Sequence, residues 1–109
     1  MANQSSAEVW VGFRTAAEGG RMSAAFLGDG RYRPHFRVAG GEYLGVAFVG
    51  FPDALVQPGE SSMATVVFMY EPGVDYAALV EGAQFEVLEG ARVVATGRII
   101  HLKNIKAEA

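Results

Sequence analysis

Cysteine is absent from the 109 residues. That excludes a disulfide framework and a thiolate metal site, and it fits a reducing compartment. Long apolar runs are missing as well. The longest, residues 43–51, is about half of the roughly 20 residues a membrane helix requires. No glycine-rich loop ends in Lys-Ser or Lys-Thr, and no Gly-x-Gly-x-x-Gly leads into a helix, so neither common nucleotide cradle is present. There are two histidines, His35 and His101. Each lacks a His, Asp or Glu partner at the short spacings that metal motifs use, so no metal and no cofactor is expected. Residues 1–6 carry no basic region and have no apolar run behind them, which is not the pattern of a secretory signal. A cytoplasmic location is expected.

Charge of one sign is missing from the middle of the chain. Residues 41–90 hold eight acids and no Lys or Arg, a balance of −8, whereas residues 1–40 balance at +2 and residues 91–109 at +3. Block asymmetry of this kind points to a partner surface, here one suited to a basic protein. Half of the residues are hydrophobic before the 14 glycines are counted. Typical domains reach roughly 45–50% with glycine included. The excess predicts an exposed apolar patch, covered by a partner or by a second copy of the chain.

The length sets one domain with a single core. Residues 8–14 alternate, with Val9, Val11 and Phe13 on one face, as a half-buried strand does. Residues 15–30 form a long connection broken by Gly19-Gly20 and Gly28-Asp29-Gly30. Residues 31–38 alternate again, with Tyr32, Pro34, Phe36 and Val38 opposite Arg31, Arg33, His35 and Arg37. Strands follow over residues 43–49 and 61–70, separated by a loop ending in the Pro58-Gly59 turn. Residues 74–81 have the spacing of one helical turn. Residues 84–89 and 92–102 make a hairpin about Gly90-Ala91. Expected core residues are Val9, Val11 and Phe13, Phe36 and Val38, Val46 and Phe48, Val67, Phe85 and Val87, and Val94 and Ile99. The domain should span residues 8–102, between a flexible N-terminus (1–7) and a polar tail (103–109). Five or six strands without a long helix indicate an all-β barrel or sandwich.

Four segments in fixed order sharpen this reading. They are Glu18-Gly19-Gly20-Arg21, then Tyr32-Arg33-Pro34-His35-Phe36, then Gln57-Pro58-Gly59-Glu60, then the stretch from Phe85 through Glu89-Gly90-Ala91-Arg92 to Ile99. Together they resemble the C-terminal β-barrel domain of translation elongation factor Tu over residues 8–102. The resemblance implies an all-β fold, a closed six-stranded antiparallel β-barrel. It also implies a non-catalytic interaction module, since the barrel in that family binds neighbouring domains, aminoacyl-tRNA and an exchange factor. Carried over residue by residue, the RNA-facing positions are Arg21, His35, Glu89 and Gly90. Arg33, Arg37 and Arg92 complete the set of candidate contact residues. Departures fall at Glu71 before Pro72, at Leu88 before Glu89, and at Ala91 after Gly90, where the family carries a base, an arginine and a second glycine. They weaken the tRNA expectation. A protein partner in or around translation is therefore expected first and tRNA or another RNA second. A third expectation is an immunity or antagonist protein against a toxin directed at translation. No enzymatic activity is expected. Ser61-Ser62 follows a tight turn, but no strand-to-helix elbow is legible around it.

Overall fold

Alternating burial along the first strand sets the architecture. Ala7, Val9, Val11 and Phe13 are buried while the residues between them face outward, the pattern of a sheet with one face on a core. The structure is a computed structural model describing residues 5–50 and 55–104. Its strands are β1 (Ser5–Phe13), β2 (Ala25–Phe26), β3 (His35–Arg37), β4 (Leu44–Phe48), β5 (Leu55–Val56), β6 (Ser61–Phe68), β7 (Gln84–Glu89) and β8 (Arg92–Asn104). Six of them close into an antiparallel barrel in the order β1-β6-β4-β3-β7-β8, and β8 pairs back onto β1. β2 and β5 form a separate two-stranded sheet. The only helical element among the described residues is a 3-10 turn, Ala16–Glu18. A capping box holds it: Glu18 N–H donates to Thr15 Oγ1, and Thr15 N–H donates to the Glu18 carboxylate.

The barrel interior is filled by side chains, as expected for so few strands. Phe36 stacks on Phe85 with ring centroids 3.9 Å apart and meets Phe48 edge-on at 5.9 Å. Tyr32 stacks on Phe48 at 5.4 Å. At one end, Tyr76 stacks on Phe68 at 4.8 Å. Its hydroxyl donates to the Gly45 carbonyl at 2.6 Å and accepts from Tyr70 N–H at 3.1 Å. Leu79 is also buried in this irregular segment. Residues 74–81 form turns and irregular backbone, as the connection in the resembled family does, and not the helical turn that their spacing allows.

Several boundaries move. β1 begins at Ser5, not at Glu8, because Ser5 N–H donates to the Glu71 carboxylate at 2.6 Å and Ala7 is buried. Residues 5–7, expected with the flexible N-terminus, are thus strand. β8 runs to Asn104. Residues 1–4 and 105–109 of the expected termini, and residues 51–54 of the expected loop, lie outside the described residues. In β6 the inward residues are Ala64, Val66 and Phe68, so Val67 faces outward. That strand is apolar on both faces, and alternation alone leaves its phase open. Val38 is partly buried against the core, and the other ten expected core residues are buried.

Two β-bulges shape β8. One leaves Ile100 unpaired between the pairs Val9↔Ile99 and Glu8↔His101. Ile99 and Leu102 can then both pack on the core while Ile100 and His101 face outward. The other falls opposite Val87 and Leu88 and leaves Val94 unpaired. Between the bulges Gly97 admits a close approach. A Cβ there would overlap the Trp10 carbonyl oxygen and come within 2.6 Å of Phe85 Cζ. Replacing Gly97 by Ala should destabilise the fold by about 1–3 kcal/mol. The urea midpoint should fall with the slope unchanged; an unshifted midpoint would show that β8 has room to move.

Candidate functional site

The alternation that places Val9 and Val11 inside places Trp10 outside. Trp10 lies across from Met63 on β6 and from Arg98 on β8. It is 43% exposed, and its indole extends along its own strand over Gly12. The bulge residue Ile100, 45% exposed, is on the same face. These residues form one wall of a groove of about 990 Å³ across β1, β8, β7 and the turn after β3. The opposite wall is Val38, Ala39 and Gly40.

The turn at that wall is under local strain. Gly41 N–H donates to the Val38 carbonyl at 2.8 Å, and both central residues have positive φ, 48° at Ala39 and 77° at Gly40. Glycine or asparagine is the usual occupant of such positions. Alanine in the left-handed region costs about 1–2 kcal/mol. Strain of this kind concentrates where a surface is shaped for binding.

Two rows of side chains cross the groove. One is Trp10, Arg98 and Gln84; the other is Thr96, Glu86 and Arg37. Arg37 donates to Glu86 through Nη2 at 2.7 Å and Nε at 3.0 Å, and its guanidinium lies 5.6 Å from the Tyr43 ring centroid. The hydrogen bond to Glu86 raises the Arg37 pKa against a smaller effect of burial. Arg98 differs: it is exposed, and among the described residues no carboxylate lies within ion-pairing distance of it.

The remaining sequence candidates fall elsewhere. Arg21 and Glu89 meet at the barrel end that carries the hairpin turn. Arg21 Nη1 donates to Glu89, Nε to the Ser23 carbonyl at 3.1 Å, and Nη2 to the Ala24 carbonyl at 3.2 Å. Its guanidinium sits 5.2 Å over the Tyr32 ring. The Tyr32 hydroxyl donates to Glu89 Oε2 at 2.6 Å. Burial, and then the hydrogen bond and field of Glu89, push the Tyr32 hydroxyl far above the ordinary tyrosine range. Burial opposes the charge on Arg21, but Glu89 outweighs it and the Arg21 pKa is raised. This cluster fastens the connection of residues 15–30 to the hairpin. Gly90, with φ 62°, and Ala91 make a two-residue turn joining Glu89 to Arg92, with glycine where a type II′ turn takes it. Arg92 is exposed beside it. Arg33 is exposed and bonds the Gly30 carbonyl at 2.8 Å. His35 lies on β3 with its ring 5.6 Å from Tyr43.

Only Arg37 of the sequence candidates lines the groove. Trp10, Arg98 and Ile100 were not among them. The signal for Trp10 was present, since a tryptophan between two inward valines on a strand must point out.

The charge blocks also find partners inside the fold. Glu89 pairs with Arg21 and Glu86 with Arg37, while Glu81 lies 3.2 Å from the His101 imidazole. The acidic middle is thus partly neutralised by the flanking blocks. Among the described residues no group of three or more His, Cys, Asp or Glu is placed to hold a metal ion, and no helix is long and apolar enough to cross a membrane. No family model matches the chain.

Two outcomes test this geometry. Tyr32→Phe should cost about 1–2 kcal/mol at neutral pH, through the lost bond to a partly exposed carboxylate. Because the folded state raises the Tyr32 pKa, its contribution is whole below about pH 10 and is lost as pH rises above that. The stability gap between wild type and variant, measured in urea, should therefore narrow by about pH 11. A gap that does not change with pH would remove Tyr32 from the alkaline transition. Ala39→Gly should stabilise by about 0.5–1 kcal/mol, the relief of left-handed strain being partly offset by glycine's unfolded freedom. A lower thermal midpoint would show that the turn is unstrained.

Proposed function

We propose that this chain is a non-catalytic interaction module related to the C-terminal barrel of elongation factor Tu, and that it binds a protein partner in or around translation. The observation that carries this is the groove. It presents an outward tryptophan and an outward isoleucine beside an arginine that meets no carboxylate among the described residues, on a barrel whose interior is filled. Tryptophan and arginine are the residues most enriched where partner proteins are gripped. The relation to the elongation factor is supported by the ordered Glu-Gly-Gly-Arg, Tyr-Arg-Pro and hairpin segments. The closed six-stranded antiparallel barrel agrees with what those segments imply.

The non-catalytic part rests on the resemblance, since the barrel of that family is a binding surface. Among the described residues, His35 lies against Tyr43 and His101 against Glu81, and neither hydrogen-bonds a serine or threonine hydroxyl. RNA binding has less support. Arg21 and Arg37, two of the expected cations, are each held by a carboxylate. A phosphate would have to displace that carboxylate before contributing to affinity.

Affinity capture from source-cell lysate tests the proposal, with wild type and Trp10→Ser run in parallel. A translation component should be enriched by wild type and lost with the variant. Identical recoveries, or recovery of nothing but the bait, would oppose it. Filter retention of bulk tRNA should be absent at about 50 mM and at about 200 mM salt, a range over which phosphate-driven binding changes steeply.

A further inference from the structure

We propose that the groove selects a partner segment that carries a carboxylate beside a large apolar side chain, with Arg98 as the residue that takes the carboxylate. This rests on the groove being the docking face, and it specifies the chemistry of the occupant.

Three observations converge on it. The first is apolar surface: Trp10 and Ile100 stand on one side and Val38 and Ala39 on the other. A partner segment laid across the groove sets apolar side chains against both walls and removes water from each. The second is the local charge. Arg37 and Glu86 neutralise each other, which leaves Arg98 as the charge of the lining that no carboxylate meets among the described residues. A basic segment would meet a net cation with no free acid in the lining to receive it. The chain as a whole is at −3, but exposed charges beyond the Debye length, about 8 Å at physiological salt, are largely screened. The charge at the contact therefore decides.

The third observation is the placement of Arg98. It stands in one cross-strand row between Trp10 and Gln84. A guanidinium is weakly hydrated, stays protonated and offers a fork that fits a carboxylate in two-point contact. Gln84 adds a further amide donor on the same face. Trp10 beside the fork lowers the local exposure to water, which strengthens a charged contact there. Both features of the occupant, its carboxylate and its apolar side chain, thus have named counterparts one strand apart.

Trp10 is the only tryptophan of the chain, so its fluorescence reads the groove directly. The probes are two acetylated, amidated tetrapeptides without tryptophan, Leu-Glu-Phe-Leu and its uncharged counterpart Leu-Gln-Phe-Leu. They are titrated against the full chain. The acidic peptide should shift Trp10 emission to the blue at a midpoint about fivefold below that of the amide peptide. Arg98→Gln should abolish that difference and keep the wild-type urea midpoint, since Arg98 is exposed. Lys103→Gln, on the same strand but outside the groove lining, should keep the difference. Equal midpoints for the two peptides on wild type would overturn the carboxylate selection and leave the groove as an apolar dock. No emission change with either peptide up to about 10 mM, the weak limit of short-segment binding, would overturn the selection together with the dock. A stronger response to oligouridylate than to the acidic peptide, lost in Arg98→Gln, would assign the arginine to a phosphate and overturn the proposal.

Discussion

The antiparallel ladder between the first and last strands is the constraint on which the rest depends. β1 pairs along its whole length with β8 while its other side pairs with β6. That closure removes the sheet edges that would otherwise invite pairing with other chains. It also forces an alternation on every strand it includes. An inward valine on β1 requires an outward neighbour, and at one position that neighbour is Trp10. The barrel has no lumen to offer, because Phe36, Phe85 and Phe48 occupy it. What the molecule presents to others is its outer wall, and the ladder decides which residues stand there.

Electrostatics follow the same topology. The barrel sets the basic strand β3 beside the acidic strand β7. Arg37 and Glu86 become cross-strand neighbours, and Arg21 reaches Glu89 from the long connection. A charge pattern that looks like a partner surface when read along the chain is, in part, the fold's own complementarity. Exposed pairs of this kind contribute little stability each. Their larger effect is local: with Arg37 held by Glu86, Arg98 is the one charge of the groove lining that meets no carboxylate among the described residues.

The fold was legible in the sequence for a physical reason. β1 buries one face, as β3 does and as β7 does up to Val87, so period two fixes their phase, and Phe13, Phe36 and Phe85 could be placed inside. The signal failed where both faces are apolar. Thr65, Val67 and Met69 read as plausibly inward as Ala64, Val66 and Phe68, and Val67 was assigned to the wrong face. It also failed at bulges, since nothing local marks Ile100 as the extra residue. Arg21, His35, Glu89 and Gly90 were expected from resemblance, Arg33, Arg37 and Arg92 were added to them, and the structure divides the set. Arg21 and Glu89 form a clasp, Gly90 and Arg92 lie at its turn, Arg33 is exposed apart from them, and His35 and Arg37 lie on β3. The groove joins residues from β1, β7, β8 and one turn, far apart along the chain. Its lining became visible only once closure had brought those strands together.

The partnership of Ser5 with Asn104 brings the described chain back to the point where it began. Entry and exit are neighbours at one rim of the cylinder, as they are in units that tolerate insertion into larger hosts. Such a unit could be spliced into a surface loop of an unrelated protein, or hung from a single stalk, without opening a strand. The opposite rim, with its hairpin tip, would then point away from whatever carried it.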